Sequence, residues 1–401
     1  MMNTKVLWWM SIAQFLAMQV WFNFSAILPV VEQEWGLTPM QSGLIIAFFQ
    51  LGYVISILFY SFSSEKYNPK SFLVYGTIIA GITGLILSFF AQGFWSTLIL
   101  RTISGIGIAG IYVPGIRILS HIAPSHQRGK VLGVYAGSFV IGSGFSLFVS
   151  GLFIEVLGWR GVVLLTSIFC LIASIIFFSL KLPPIEGQGT HLNWKKIKQV
   201  FNKTNLLING GYAGHSWELY AMWAWIGPFL VFYFLQHGYT EETAMKYGNI
   251  MGAFVIMIGG IATYTGGRIS DHLGRVNSAN LFLMMSIICS LMIGWSIQLP
   301  IILMLLLALI YGFTIVADTA IYTVSVTEIN DPDIIALALG VQSVLGFTVT
   351  IFAPFVFGFF LDVFNWGVAF TIIGVGAISA PICMLILGKI QHHTNLHQGN
   401  K

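Results

Sequence analysis

The chain has 401 residues, of which 57% are apolar and only 8% charged, and its net charge is +4. A typical soluble protein carries about 25% charged residues. The composition, with a mean hydropathy of +0.86, excludes a soluble globular enzyme, a disordered chain and an ordinary nucleic-acid binder. The small positive excess therefore reads as sidedness across a membrane. Cys170, Cys289 and Cys383 fall in apolar runs and form no CxxC, so neither a disulfide framework nor a zinc site is expected.

A bilayer core about 30 Å thick is crossed by about 20 apolar residues in a helix. Twelve such runs follow in chain order: 7–30, 40–61, 71–91, 95–118, 131–155 and 160–180, then 208–235, 244–266, 277–297, 300–326, 334–361 and 366–388. No period-2 alternation appears, which excludes a membrane β-barrel. The polar middle, 181–205, holds Pro183 and Pro184, which end the sixth helix. It also holds the basic segment Trp194-Lys195-Lys196-Ile197-Lys198, a solvated linker that can lie on anionic lipid. The expected organisation is a six-helix bundle over 1–181, a cytoplasmic linker over 182–206, a second six-helix bundle over 207–389 and a cytoplasmic tail over 390–401. The tail histidines His392, His393 and His397 read as solvated, not as a metal site.

Charge placement tests this count. With the N-terminus in the cytoplasm, 15 of the 18 Lys and Arg lie on the cytoplasmic side. Arg160 and Lys246 lie outside, and Arg101 lies within the membrane. This obeys the positive-inside rule. The two halves also repeat. Glu65 and Asp271 follow the second and eighth runs, 206 residues apart. Gly133-Val134 and Gly340-Val341 open the fifth and eleventh, and Trp159 and Trp366 the sixth and twelfth, each pair 207 apart. Parallel repeats of this kind put a substrate site between the halves near mid-membrane. The fold class is thus an all-α membrane protein with 12 transmembrane helices in two pseudo-symmetric six-helix bundles.

The residues Gly267-Arg268-Ile269-Ser270-Asp271-His272-Leu273-Gly274-Arg275 resemble the G-x-L-x-D-R-x-G-R loop of the major facilitator superfamily of secondary transporters. The corresponding first-half loop is degenerate, with Glu65 for Asp, Lys66 in the basic place, and Asn68-Pro69 for Gly-Arg. Arg101 with Gly105 and Gly107 resembles the family's R-x-x-x-G-x-G helix, and 128–160 its fifth helix and exit. The resemblance covers nearly the whole chain. It implies alternating access, a monomer, a bacterial inner membrane, and a cavity lined by the first, fourth, seventh and tenth helices. It also implies that Glu65, Lys66, Gly267, Asp271 and Arg275 act as gating loops. The family's antiporter pattern has a proline after a fifth-helix glycine; Phe145 follows Gly144 instead.

Charges inside the membrane are the informative residues, because each costs about 2.5–3.5 kcal/mol on insertion scales. They are Arg101, Glu218 and Asp318. Burial penalises an ionised carboxylate, which makes a membrane carboxylate a candidate proton carrier, and Glu218 lies nearest mid-membrane. His215, three residues earlier, shares its helix face and is expected to tune it or titrate itself. Trp217 and Tyr220 are candidates for stacking on an organic solute, and Gln19 and Asn23 for lining the cavity. Glycines on the fourth and fifth helices, including the pair Gly133 and Gly137, are expected to let helices approach closely.

The leading expectation is a proton-coupled symporter of a small organic solute, with an organic anion favoured by Arg101. No cofactor is expected, and no G-x-x-x-x-G-K-[ST] loop occurs for direct ATP use. The expected partners are the solute, protons and the lipid bilayer, without nucleic acid. The alternatives are a proton antiporter exporting drugs or metabolites and a non-transporting receptor or sensor. An intramembrane enzyme is disfavoured, because His215 and Glu218 alone make no catalytic constellation.

Overall fold

The computed structural model describes residues 4–63, 68–124, 127–182, 198–331 and 334–398. Among these, 11 continuous helical stretches are long and apolar enough to cross a membrane. The first stretch comprises α1 (Thr4–Ala17), a 3-10 turn (Met18–Val20) and α2 (Asn23–Trp35). Next come α3 (Pro39–Ser63), α4 (Pro69–Phe90) and α5 (Phe94–Ile122). The long α6 (Arg128–Ser179) has 52 residues, about 78 Å at 1.5 Å per residue, or more than two bilayer cores. It is interrupted at Gly158, whose φ of 63° and ψ of 174° are not helical. That single residue divides α6 into the expected fifth and sixth spans and brings the total to twelve.

The second half follows with α7 (Lys203–Gln236), α8 (Glu241–Met257) and α9 (Gly259–Leu273), then α10 (Arg275–Ile293). It ends with α11 (Ile301–Ala317), α12 (Thr319–Ile329), α13 (Ile335–Val363), α14 (Trp366–Ala377) and α15 (Ser379–Gln398). The pairs α8/α9, α11/α12 and α14/α15 each form one span with an internal break.

Local sequence explains several ends. Asn68 Oδ1 accepts from the Lys70 amide at 3.0 Å, with Pro69 first in α4. That is an N-cap followed by a proline that needs no donor. Asn68-Pro69, the departure from the family loop, thus starts a helix. Asn365 caps α14 in the same way, through the Val368 amide. α6 ends at Ser179, with Leu180 extended, just ahead of Pro183 and Pro184. Glu65, Lys66, the segment Trp194 to Ile197, and the side chains of His392, His393 and His397 lie outside the described residues.

The chain forms two compact units. The first contains residues 1–190 and 223–257. Its helices approach through glycine: a Cβ on Gly105 would lie 2.0 Å from the Phe49 carbonyl oxygen of α3, and one on Gly107 2.5 Å from that of Gly76 in α4. Such contact is how membrane helices gain dispersion energy where lipid supplies no hydrophobic drive between them. Gly142 and Gly144 of α6 pack in the same way, against α1 and α8. Gly133 and Gly137 do not: both face open space, so this GxxxG pair makes no helix contact among the described residues. The spacing alone carries no information about which face is buried.

The second unit contains residues 191–222 and 258–401. Here α9 lays Gly259 and Gly266 against α11. A Cβ on Gly266 would lie 1.8 Å from the carbonyl oxygen of Ala317, immediately before the break at Asp318. At the start of α7, Asn205 and Asn330 exchange two amide hydrogen bonds of 2.8 Å, tying it to the end of α12.

Candidate coupling and substrate site

Two buried polar clusters sit at helix breaks, one in each unit. In the first unit the helical ladder stops between Val20 and Phe22. A backbone carbonyl freed inside an apolar bundle needs a donor. Arg101, on α5, supplies it. Its Nη1 donates to Val20 O at 3.0 Å and Nη2 to Trp21 O at 3.1 Å. Nη1 also donates to Asn23 Oδ1 at 3.0 Å, while Asn23 Nδ2 donates to Thr166 Oγ1. The guanidinium lies 4.2 Å from the Phe49 ring centroid, a cation–π contact. Arg101 is thus solvated by neutral acceptors and a ring, and it fixes the break.

The break also separates Gln19 from Asn23. Gln19 lies in the 3-10 turn and donates to Phe15 O and Gly142 O, whereas Asn23 opens α2 and faces α5 and the far half of α6. Their four-residue spacing would give one shared face only on an unbroken helix.

In the second unit the break falls at Asp318, between α11 and α12. His215 Nδ1 lies 2.8 Å from Asp318 Oδ1, and both side chains are 2% exposed. The other ring nitrogen meets Thr319 Oγ1 at 3.2 Å. Tyr322 donates to Asp318 Oδ2 at 3.1 Å. The rings of Tyr212 and Tyr322 cover His215 at 6.0 and 5.6 Å. One helical turn further along α7, Glu218 is fully buried and accepts from Ser286 Oγ of α10 at 2.9 Å. The expected pairing of His215 with Glu218 is replaced by His215 with Asp318. Helix spacing brought His215 and Glu218 to one face, but the tertiary partner of His215 comes from the tenth span.

Trp217 and Tyr220 lie apart from this pair. Trp217 Nε1 donates to Ile373 O of α14 at 3.2 Å. The Tyr220 ring meets Phe347 of α13 at 5.9 Å. At the end of α9, Arg275 Nη1 lies 2.7 Å from Asp271 Oδ1. Its Nη2 and Nε grip Glu328 of α12 at 2.8 and 3.2 Å. Gly267 has open space around it. Ser286, Thr319, Tyr322 and Glu328 are the participants missed in the sequence. The one available signal was Glu328, a lone acid near the end of a span.

The Major Facilitator Superfamily profile matches residues 10–327. An uncharacterized MFS-type transporter of Bacillus subtilis, YybF, is 26% identical over 278 residues, covering 60% of this chain and 68% of YybF. Several other curated relatives match over about a third of their own length. The fold resembles a bacterial homolog of the human lysosomal transporter Spinster in an inward-facing, occupied conformation. The TM-score is 0.80 at 14% identity, covering 97% of each chain. It also resembles a D-xylose-proton symporter, with a TM-score of 0.77 at 15% identity, covering 96% of this chain and 97% of that one. The match over most of the chain, together with twelve apolar spans, makes this protein a member of the Major Facilitator Superfamily, a multi-pass membrane transporter and not an enzyme.

Proposed function

We propose that the chain is a proton-coupled symporter that takes up a small organic anion by alternating access. The observation that carries this reading is the buried His215–Asp318 pair, 2.8 Å apart at the break of the tenth span. A histidine and a carboxylate in contact exchange one proton between net charges of minus one and zero. A net charge in a low-dielectric interior is costly, so proton occupancy biases whichever conformation exposes the pair least. The break supplies backbone able to move with it. Glu218, one turn away on α7, is a second acid in the same unit.

The likeness in fold to a D-xylose-proton symporter is compatible with this coupling. The preference for an anion is supported by Arg101, whose hydrogen-bond acceptors are two carbonyls and an amide, none of them a carboxylate. The Arg275 fork on Glu328 and Asp271 supports a latch role for the loop after α9. The reading puts both termini on the cytoplasmic side of a bacterial inner membrane, as the charge asymmetry favours, and has the protein work as a monomer.

The test uses purified protein in liposomes with a pH-sensitive dye inside and no initial pH gradient. Organic anions, sugars, amino acids and lipophilic cations are added outside in turn. Lumenal acidification with an organic anion is the expected result, and Asp318→Asn abolishes it. Alkalinisation would reverse the direction to antiport. Entry of radiolabelled solute with no pH response would end the proton coupling.

A further inference from the structure

Alternating access needs the two repeats to part on each face of the membrane in turn. Residues 223–257 belong by sequence to the second repeat, yet they pack with the first repeat in one compact unit. They comprise the last part of α7 and the whole of α8, up to the break at Ile258. The first and seventh spans end here, at Trp35 and Gln236, on the face away from the N-terminus. Glycine makes the contact close. A Cβ on Gly151 of α6 would stand 2.8 Å from the Lys246 carbonyl oxygen of α8, and one on Gly248 of α8 would stand 2.5 Å from the Val231 amide nitrogen of α7. Surfaces of this kind hold by dispersion. Asn249 adds a directed bond. It is fully buried, and its Nδ2 donates to the Ala26 carbonyl of α2 at 2.9 Å and to the Met245 carbonyl of its own helix at 3.0 Å. Its Oδ1 faces α7, 3.2 Å from the Cβ position of Gly227. One amide thus sits where the first, seventh and eighth spans meet. Pro29, three residues beyond Ala26 in α2, lacks an N–H and bends its helix away from the carbonyls one turn back, which opens the Ala26 carbonyl to a second donor. Lys246 and Glu155 also meet across this seam, but at 3.8 Å and with side chains 40% and 49% exposed, where water screens them.

We propose that Asn249 is the bolt of a gate on this face. Its bond to the Ala26 carbonyl holds the far ends of the first, seventh and eighth spans together, and it breaks each time the gate opens. The proposal rests on the alternating-access part of the reading above, not on the coupling ion or the solute. A neutral amide suits a contact that has to cycle. One such hydrogen bond shifts an equilibrium by about two- to tenfold, and both partners find water when the seam parts. A buried ion pair in the same place would leave two charges to be separated at every turnover. Asn249 is therefore a positioning residue. It sets how often the gate stands open and touches no solute.

The test uses the purified full chain in lipid nanodiscs and pulsed electron spin resonance. Spin labels go on Gln33→Cys of α2 and Gln236→Cys of α7, both exposed positions, with Cys170, Cys289 and Cys383 changed to Ala. A short distance reports the closed gate and a longer one the open gate. Asn249→Leu keeps the branched shape of the side chain and Asn249→Ala shrinks it, so the two share only the loss of the donor. Both are expected to raise the ratio of long to short distances about two- to tenfold. A merely structural role would lower the Tm without moving that ratio. A shift in Asn249→Leu alone would mean crowding, and a shift in Asn249→Ala alone would mean lost packing; either overturns the proposal. If Asn249→Leu does not fold, Asn249→Thr takes its place, because its hydroxyl bonds back to its own helix. Two populations in the wild type that neither variant moves would end the bolt and spare alternating access. A single short distance in the wild type and in every variant would end both.

Discussion

The two units bury their charges in opposite ways. In the first, Arg101 is a permanent cation held by two carbonyls, an amide and a ring. In the second, the imidazole of His215 and the carboxyl groups of Asp318 and Glu218 contact one another or hydroxyls. Both clusters sit at breaks in a membrane helix, where backbone is available to be solvated or moved. The difference teaches that a helix break can be secured or kept adjustable, depending on whether the charge beside it can change.

The sharpest way to break this comparison is Asp318→Asn. It keeps the shape and removes the acid, so substrate-driven acidification should fall to the level of empty liposomes. Exchange of labelled for unlabelled substrate across the same membrane should persist. Loss of both would make Asp318 a structural residue. Next in size is Arg101→Leu, which strands the Val20 and Trp21 carbonyls. Each unsatisfied carbonyl costs about 1–3 kcal/mol, so the Tm in detergent should drop markedly. An unchanged Tm would show that the first break does not need its cation.

Glu218→Gln preserves the capacity to accept from Ser286 while losing the acid. We expect the initial uptake rate to fall about tenfold, within the usual range of coupling between sites, with acidification still detectable. Complete loss would move the essential proton from the His215–Asp318 pair to Glu218. The smallest effect belongs to Glu328→Gln. The Glu328 side chain is 49% exposed, and so it forms a surface pair with Arg275. Such pairs contribute about 1 kcal/mol or less, so the Tm should barely shift and the proton response should remain.

Much of this molecule is legible in its sequence, for a physical reason. A span's length and apolarity are local properties, so the twelve runs could be read one by one, and even the 52-residue α6 divides at Gly158 as the runs on either side require. Arg101, Glu218 and Asp318 stand out because a charge is conspicuous in an apolar background. Their partners do not. The pairing of His215 with Asp318 depends on how α7 crosses the tenth span, which no local pattern encodes. The break at Trp21 is equally silent, since 17–23 contains neither proline nor glycine. It is recognisable only once Arg101 is seen donating to the carbonyls there. Gly133 and Gly137 show the converse, a motif with the right spacing whose Cβ positions meet nothing within 4 Å among the described residues.

Gly158 has a practical consequence. Its φ of 63° with an extended ψ is a conformation that side chains resist, and Trp159 already continues the helix. The fifth and sixth spans are therefore joined with almost no slack. A protease finds no exposed strand to grip at this corner, and an inserted epitope tag has no loop to occupy. Topology mapping by cleavage or tagging will be blind between residues 155 and 160, where both neighbouring helices would have to unravel before the chain could be reached.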